Sequence, residues 1–346
     1  MTDKNAYVST FDSLVAEYIS DLKHNEISER TLGNYQKRLG YFREFWSETD
    51  PQSSPTAVDV RAWRDSMLDS GLAKSTVRQY MTELNGFFEF ATDEEIAGDR
   101  AYKKNPISKK LYPRKTNDEK KPYSKVLNTD DLKSLWQNVK QKGTDKLWAR
   151  NYAIVTLLLD GKIRNAELLE LRLSDVHFAD DDDPYDYLVV RKGKGNKYRE
   201  VDLNDISVSA LKIYLKSGIR PESADDDDFL FGTTAEHKFG GTSTGIADWH
   251  KGSSTWLSKL VEKHVRDVTG KSGFRTHSMR HNGSIMELNN GASLETLQSE
   301  LGHSSITTTE IYAGRLQSKR NRMKIKEVYE ERDKWAEINN QMLATV

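Results

Sequence analysis

The stretch LGHSSITTTEIYAG, residues 301–314, is small and rich in hydroxyls, reads as a helix followed by a turn, and carries three side chains able to exchange protons: His303, Glu310 and Tyr312. A phenol in such a place either packs or reacts. With an ordinary pKa near 10, it attacks well at neutral pH only when its proton is removed as it does so. Upstream, in order, stand Arg164 in GKIRNAELLELRLSDV, Lys194 in RKGKGNKYREV, and His277 and Arg280 in THSMRH. Each is ordinary alone. An isolated arginine usually pairs with a carboxylate, a lysine at a glycine turn usually faces solvent, and a histidine is usually satisfied in a core. As types, they supply cationic donors for an anion, imidazoles that move protons, and a phenol.

These residues fall on recognisable elements. NTDDLKSLWQNV and LWARNYAIVTLLLD read as helices, and residues 186–203, DYLVVRKGKGNKYREVDL, read as a hairpin whose glycine-lysine turn holds Lys194. Further helices are predicted over 254–270, 276–291 and 293–302, with a charged one over 316–341. The second part of the chain is therefore expected to be mainly α with a small antiparallel sheet.

The first part is expected to be a bundle of about four helices. Phe11, Leu14, Val15, Tyr18 and Leu22 recur at helical spacing, as do Leu32, Tyr35, Leu39, Phe42 and Phe45 or Trp46 after a capping Ser28. A third helix over 57–71 ends at Gly71, and a fourth over 73–93 turns Val77, Met81, Leu84, Phe87 and Phe88 inward. Arg30, Thr31, Lys74, Thr76 and Arg78 lie at the starts of two of these helices, where free backbone N–H groups suit phosphates, or they are simply solvated faces.

Between the two parts, residues 100–125 hold ten Lys or Arg, including Lys103, Lys104, Lys109 and Lys110, against one Asp and one Glu, with three prolines. This reads as an extended basic linker. The expected organisation is a helical bundle over 1–100, a linker over 101–125, a second, mainly helical domain over 126–320 and a C-terminal helix over 321–346.

At 346 residues the chain exceeds what one core usually supports. The lack of cysteine removes disulfides, thiolate metal sites and cysteine nucleophiles. MTDKNAYVSTF has no apolar signal segment, and the longest aliphatic run, AIVTLLL, is far below the roughly 18 residues of a membrane span, so a cytoplasmic protein is expected. The net charge of -1 does not exclude nucleic acid, because opposite charges segregate: the acidic runs 180–183 and 225–228 read as solvated loops.

The ordered set resembles the tyrosine recombinases of the phage integrase family, whose active site runs Arg, Lys, His-x-x-Arg, His or Trp, Tyr. LGHSSITTTEIY carries the most specific agreement, and SERTLGNYQKRLGYFREFW and LAKSTVRQYMTELNGFFEFA resemble the two long helices of that family's core-DNA-binding domain. The resemblance implies a helical SAM-like bundle joined to an integrase-type catalytic domain, and a simple Xer-like or Cre-like enzyme without a further arm-binding domain. It implies cleavage and rejoining of double-stranded DNA at a specific core site through a 3′-phosphotyrosine, without metal, ATP or other cofactor. The roles it assigns are Tyr312 as nucleophile, Arg164 and Arg280 as phosphate donors, His277 as acid-base group, Lys194 as proton donor to the leaving 5′ oxygen, and His303 as a hydrogen-bond donor to the phosphate. Two arginines fit such a task because their charge is permanent and their forks match phosphate oxygens. The resemblance further implies a tetramer on paired sites, nucleoid association on DNA, and a C-terminal helix that either docks on a neighbouring protomer or packs on its own domain. One motif departs: the family writes TGLRxxE, whereas DGKIRNAE places two residues between glycine and arginine, which leaves Arg172 as the fallback for Arg164. The alternatives are a type IB topoisomerase and a DNA-binding protein whose chemistry has faded.

Overall fold

Apolar spacing builds two compact units, Met1–Lys121 and Pro122–Val346, in the computed structural model of the chain. The structure describes residues 4–25, 27–49, 51, 53–114, 125–137, 147–191, 198–221, 224–233, 250–302 and 319–344.

The first unit is built on helices α1 (Lys4–His24), α2 (Glu29–Glu48), α3 (Ala57–Asp69) and α4 (Lys74–Ala91), followed by the single turn α5 (Glu94–Ala97). Ser28 caps α2 by accepting from the Thr31 backbone N–H at 3.3 Å, and Thr56 and Asp59 form a reciprocal capping box at the head of α3. Gly71 follows α3 at φ 85°, a left-handed position that suits glycine. Val77, Met81, Leu84, Phe87 and Phe88 of α4 are all buried, and Phe87 meets Phe11 of α1 edge-on with centroids 4.8 Å apart.

The segment read as an extended linker begins otherwise. Tyr102, Ile107 and Leu111 are buried in the bundle core, Arg64 donates to the Leu111 carbonyl at 3.0 Å, and Arg78 donates to the Pro113 carbonyl. Burying each large side chain stabilises by roughly 1.5–3 kcal/mol, which outweighs leaving this stretch extended. Lys103, Lys104, Lys109 and Lys110 stay exposed around it.

The second unit assembles around α7 (Trp148–Leu159), which is apolar on nearly every face and correspondingly buried. Around it stand α6 (Thr129–Gln137), α8 (Asn165–Glu170), α9 (Asp205–Lys216), α10 (Ser254–Thr269), α11 (Thr276–Asn289) and α12 (Leu294–Leu301). The strands β1 (Val176–His177), β2 (Tyr187–Val190) and β3 (Arg199–Asp202) form an antiparallel sheet in that order, with Leu188 opposite Val201 and Val190 opposite Arg199. A two-stranded pair, β4 (Gly232–Thr233) and β5 (His250–Lys251), lies apart from it. The mainly α class with a small antiparallel sheet is as expected, whereas α9 went unread in the sequence.

The last helix, α13 (Lys319–Ala344), packs against α9 and α6 of its own unit. Val328, Ala336 and Asn339 are fully buried there, and Asn339 donates to the Tyr152 hydroxyl at 3.4 Å and to Ser209 Oγ at 3.3 Å. Within the single chain the helix thus finds both apolar and polar partners in its own unit. Among the described residues, no helix is long and apolar enough to cross a membrane.

Candidate active site

Arg164 stands at the head of α8, and its conformation is fixed from three sides. Its backbone N–H donates to Glu167 Oε2 at 2.8 Å, its Nη1 to Glu167 Oε1 at 2.7 Å, and its Nη2 to the Leu301 carbonyl at 2.9 Å. Arg199, at the start of β3, grips the same carboxylate with both arms at 2.9 and 2.8 Å. Glu167 is buried, which on its own would raise its pKa, but the two guanidiniums and the Arg164 N–H outweigh burial and hold it at about 2. Two guanidiniums around one carboxylate leave a surplus positive charge.

Arg280 lies in the second turn of α11, only 2% exposed, and donates to the carbonyls of Lys162 and Leu301, the latter at 2.7 Å. Both of these acceptors are backbone carbonyls, which fix the direction of the guanidinium. His277, three residues earlier and so on the same helical face, packs edge-on against His281 with centroids 4.3 Å apart. Burial, then the charges of Arg280 and Arg164, push the His277 pKa below its ordinary value of 6.5. At neutral pH the imidazole is therefore uncharged and able to accept a proton.

The carbonyl shared by both arginines closes α12. That helix is capped at its start by Ser293, packs Leu297 and Leu301 against Ile285 and Leu288 of α11, and ends at Gly302 with φ 60° and ψ 44°. Thus Arg164, His277 and Arg280 are brought together at the end of α12, immediately before the residue numbered 303. Lys194, His303 and Tyr312 lie outside the described residues.

The departure in DGKIRNAE has a structural counterpart. Counting back from the arginine, the family glycine corresponds to Lys162, and Lys162 is the one non-glycine residue with positive φ, 52°, among those described. A side chain in this region costs roughly 1–2 kcal/mol. The fallback Arg172 donates to the Asp227 carbonyl and lies over the Phe229 ring at 5.1 Å.

The proposed DNA-facing residues of the first unit divide. Arg30 and Lys74 are exposed, and α4 has no side-chain cap, which leaves its first N–H groups open to an anion. At α2 the Thr31 N–H is taken by Ser28. Thr76 is half-buried, and Arg78 is bonded to Pro113 and lies 5.9 Å from the Tyr112 ring centroid. Sequence reasoning missed Glu167, Arg199 and Lys162. The spacing Arg164-x-x-Glu167 was visible, but the partnership with Arg199 joins α8 to β3 across 32 positions.

Comparison with known proteins matches the geometry. Residues 125–319 match the profile of the phage integrase family, and residues 15–95 match the phage integrase N-terminal SAM-like domain. The chain belongs to the phage integrase family. Tyrosine recombinase XerC of Pediococcus pentosaceus is 28% identical over 305 residues, covering 87% of this chain and 91% of that protein. XerC of Oceanobacillus iheyensis is 28% identical over 317 residues, covering 90% and 92%. Among solved structures, the XerH site-specific recombinase bound to palindromic difH substrate in a post-cleavage complex shares the integrase fold with a TM-score of 0.63 at 23% identity, over 82% of this chain and 76% of that one. The Tn1549 transposon integrase in complex with circular intermediate DNA gives 0.61 at 21% identity, over 87% and 94%.

Proposed function

We propose that this integrase-family chain is a tyrosine-type site-specific DNA recombinase that cuts and rejoins duplex DNA through a 3′-phosphotyrosine. One observation carries the reading: Arg164 and Arg280 converge on the carbonyl of Leu301, with His277 on the same face of α11 as Arg280, at the point where LGHSS begins. The XerC relatives, which match along nearly their whole length, support it.

The chemistry follows from the residues. A scissile phosphate gains charge on its non-bridging oxygens as a nucleophile arrives, and fixed guanidiniums stabilise that charge without reorganising. The Tyr312 oxygen attacks phosphorus, its proton passes to His277, and the bond from phosphorus to the 5′ oxygen breaks. Lys194 protonates the departing 5′ oxygen, and His303 donates a hydrogen bond to the phosphate. A 5′-hydroxyl from a second strand then attacks the phosphotyrosine and restores the diester, so the covalent link conserves the bond's energy and no nucleotide is consumed. Arg30, Lys74, the head of α4 and the exposed Lys103, Lys104, Lys109 and Lys110 supply contacts to backbone phosphates, while the target sequence is read at base edges. The pairing of two cut sites calls for four protomers, one per strand exchanged.

The test starts from a library of duplexes with randomised cores, each nicked so that cleavage traps the protein. Recovery of protein-bound DNA after denaturation defines the core sequence, and two copies of that core on separate duplexes are then assayed for recombinant products. Exchange between copies supports the proposal. Relaxation of supercoiled DNA without exchange would mark a topoisomerase, and binding without covalent capture would mark a DNA-binding protein.

A further inference from the structure

Lys162 stands where the family pattern has glycine, and three separate contacts join it to the site. Its backbone takes the left-handed conformation that glycine would adopt freely, which presents its carbonyl to the guanidinium of Arg280. Its ammonium lies 3.4 Å from Glu287 Oε2 on α11 and 3.1 Å from Glu300 Oε2 on α12, and donates to the Asp160 carbonyl at 3.0 Å. Its stem runs against Gly283, where an added Cβ would come within 3.2 Å of Lys162 Cγ and 1.8 Å of the Leu159 carbonyl. The glycine therefore lets the loop press onto α11 one turn after Arg280.

Glu300 immediately precedes Leu301, the residue whose carbonyl both arginines share, and Glu287 lies two turns beyond Arg280 on the same helix. A glycine at 162 would satisfy the backbone more easily but would leave the two carboxylates without the cation between them. The side chain thus has a task that the backbone conformation does not require.

We propose that Lys162 is a positioning residue for strand cleavage, an inference that rests on the recombinase reading. Its ammonium clamps α11 to α12 across Glu287 and Glu300, and its carbonyl aims Arg280, so that both arginines meet at the end of α12. Lys162 does not touch DNA; it acts through Arg280 and Leu301.

The test compares Lys162→Gly, Lys162→Met and Lys162→Arg with the parent on a nicked duplex, in single turnover with protein saturating. Lys162→Gly and Lys162→Met should form covalent adduct at least about tenfold more slowly, a difference in transition-state stabilisation rather than affinity, with the DNA dissociation constant unchanged. Lys162→Arg, which keeps the cation, should recover most of the rate. Lys162→Gly also relieves the positive φ, so its melting temperature should stay close to that of the parent while its rate falls. Parental rates in both the Gly and Met variants would overturn the proposal. So would a rate loss matched by equal losses of DNA affinity and melting temperature, which would make the residue merely structural. A parent protein that forms no adduct at all would instead overturn the recombinase reading.

Discussion

Arg164 and Arg280, one heading α8 and the other in α11, donate to a single acceptor, the Leu301 carbonyl, at 2.9 and 2.7 Å. The arrangement fixes two guanidiniums side by side, which on the recombinase reading orients them in advance for a phosphate. Lysine in place of Arg280 keeps the charge but lacks the planar fork that bonds Lys162 and Leu301 together. Arg280→Lys should slow adduct formation by about 100-fold or more, as losses of oriented charged donors do, with little change in DNA affinity. A parental cleavage rate would show that charge alone suffices.

Glu167 predicts a stability effect with a defined pH window. Its carboxyl titrates at about 2 in the folded chain against an ordinary 4.5, because Arg199 and Arg164 favour the charged form. The folded state therefore gains of order 3 kcal/mol that is complete above pH 4.5 and lost as pH falls from there toward 2. Denaturant titrations across that range should show Glu167→Gln both less stable than the parent at pH 7 and flatter with pH. Equal slopes for the two proteins would place the shift elsewhere.

His277 titrates in the opposite sense to a histidine that gains a carboxylate partner. Its neutral form is favoured by burial and by Arg280 and Arg164, so between the lowered pKa and 6.5 the folded chain binds fewer protons than the unfolded one. Its contribution to stability is present above 6.5 and shrinks as pH drops through that window. Cleavage that uses the neutral imidazole should fall on acidification with a midpoint below 6.5. Replacing Arg164 by Ala should move the His277 midpoint, followed by NMR, back up toward 6.5; no movement would separate the two side chains electrostatically.

The sequence made some of this legible and hid the rest for physical reasons. The inward stripe of α4 follows from helical periodicity, and the Ser28 cap from residue type. Helix α9 was passed over even though Asn204 caps it and Ile206, Ala210 and Tyr214 recur at its spacing. Residues 101–112 looked like linker because two lysine pairs and a proline break up the apolar residues, yet Tyr102, Ile107 and Leu111 decide where the segment goes. The acceptors that hold the arginines were unreadable in principle, since Leu301 and Lys162 contribute backbone carbonyls, which every residue possesses. Arg199 reaches Glu167 across 32 positions, a pairing that only the folded sheet creates.

The C-terminal helix yields a different expectation from its packing. Arg332 lies 3.4 Å from Asp160, whose carboxyl is fully buried and pushed above its ordinary pKa by desolvation, an effect that Arg332 and Lys162 oppose. Removing one partner of a buried pair typically costs about 3–5 kcal/mol, so Arg332→Ala should lower the unfolding free energy by about that amount. Truncation after Lys319 should destabilise the isolated chain further, because Val328, Ala336 and Asn339 leave the core with it. A truncated chain that melts like the parent at high dilution would refute docking in cis.

Tyr312 carries the central claim, and replacing it by Phe tests that claim most directly. The change removes one oxygen and almost no volume, so a tyrosine that merely packs should lose at most a hydrogen bond worth about 0.5–1.5 kcal/mol. With a nicked duplex carrying the core site, the parent should form a denaturation-resistant protein-DNA adduct, and Tyr312→Phe should bind the duplex equally well and form none. A Phe variant that still becomes covalently attached to DNA would contradict the account, because another residue would then be the nucleophile.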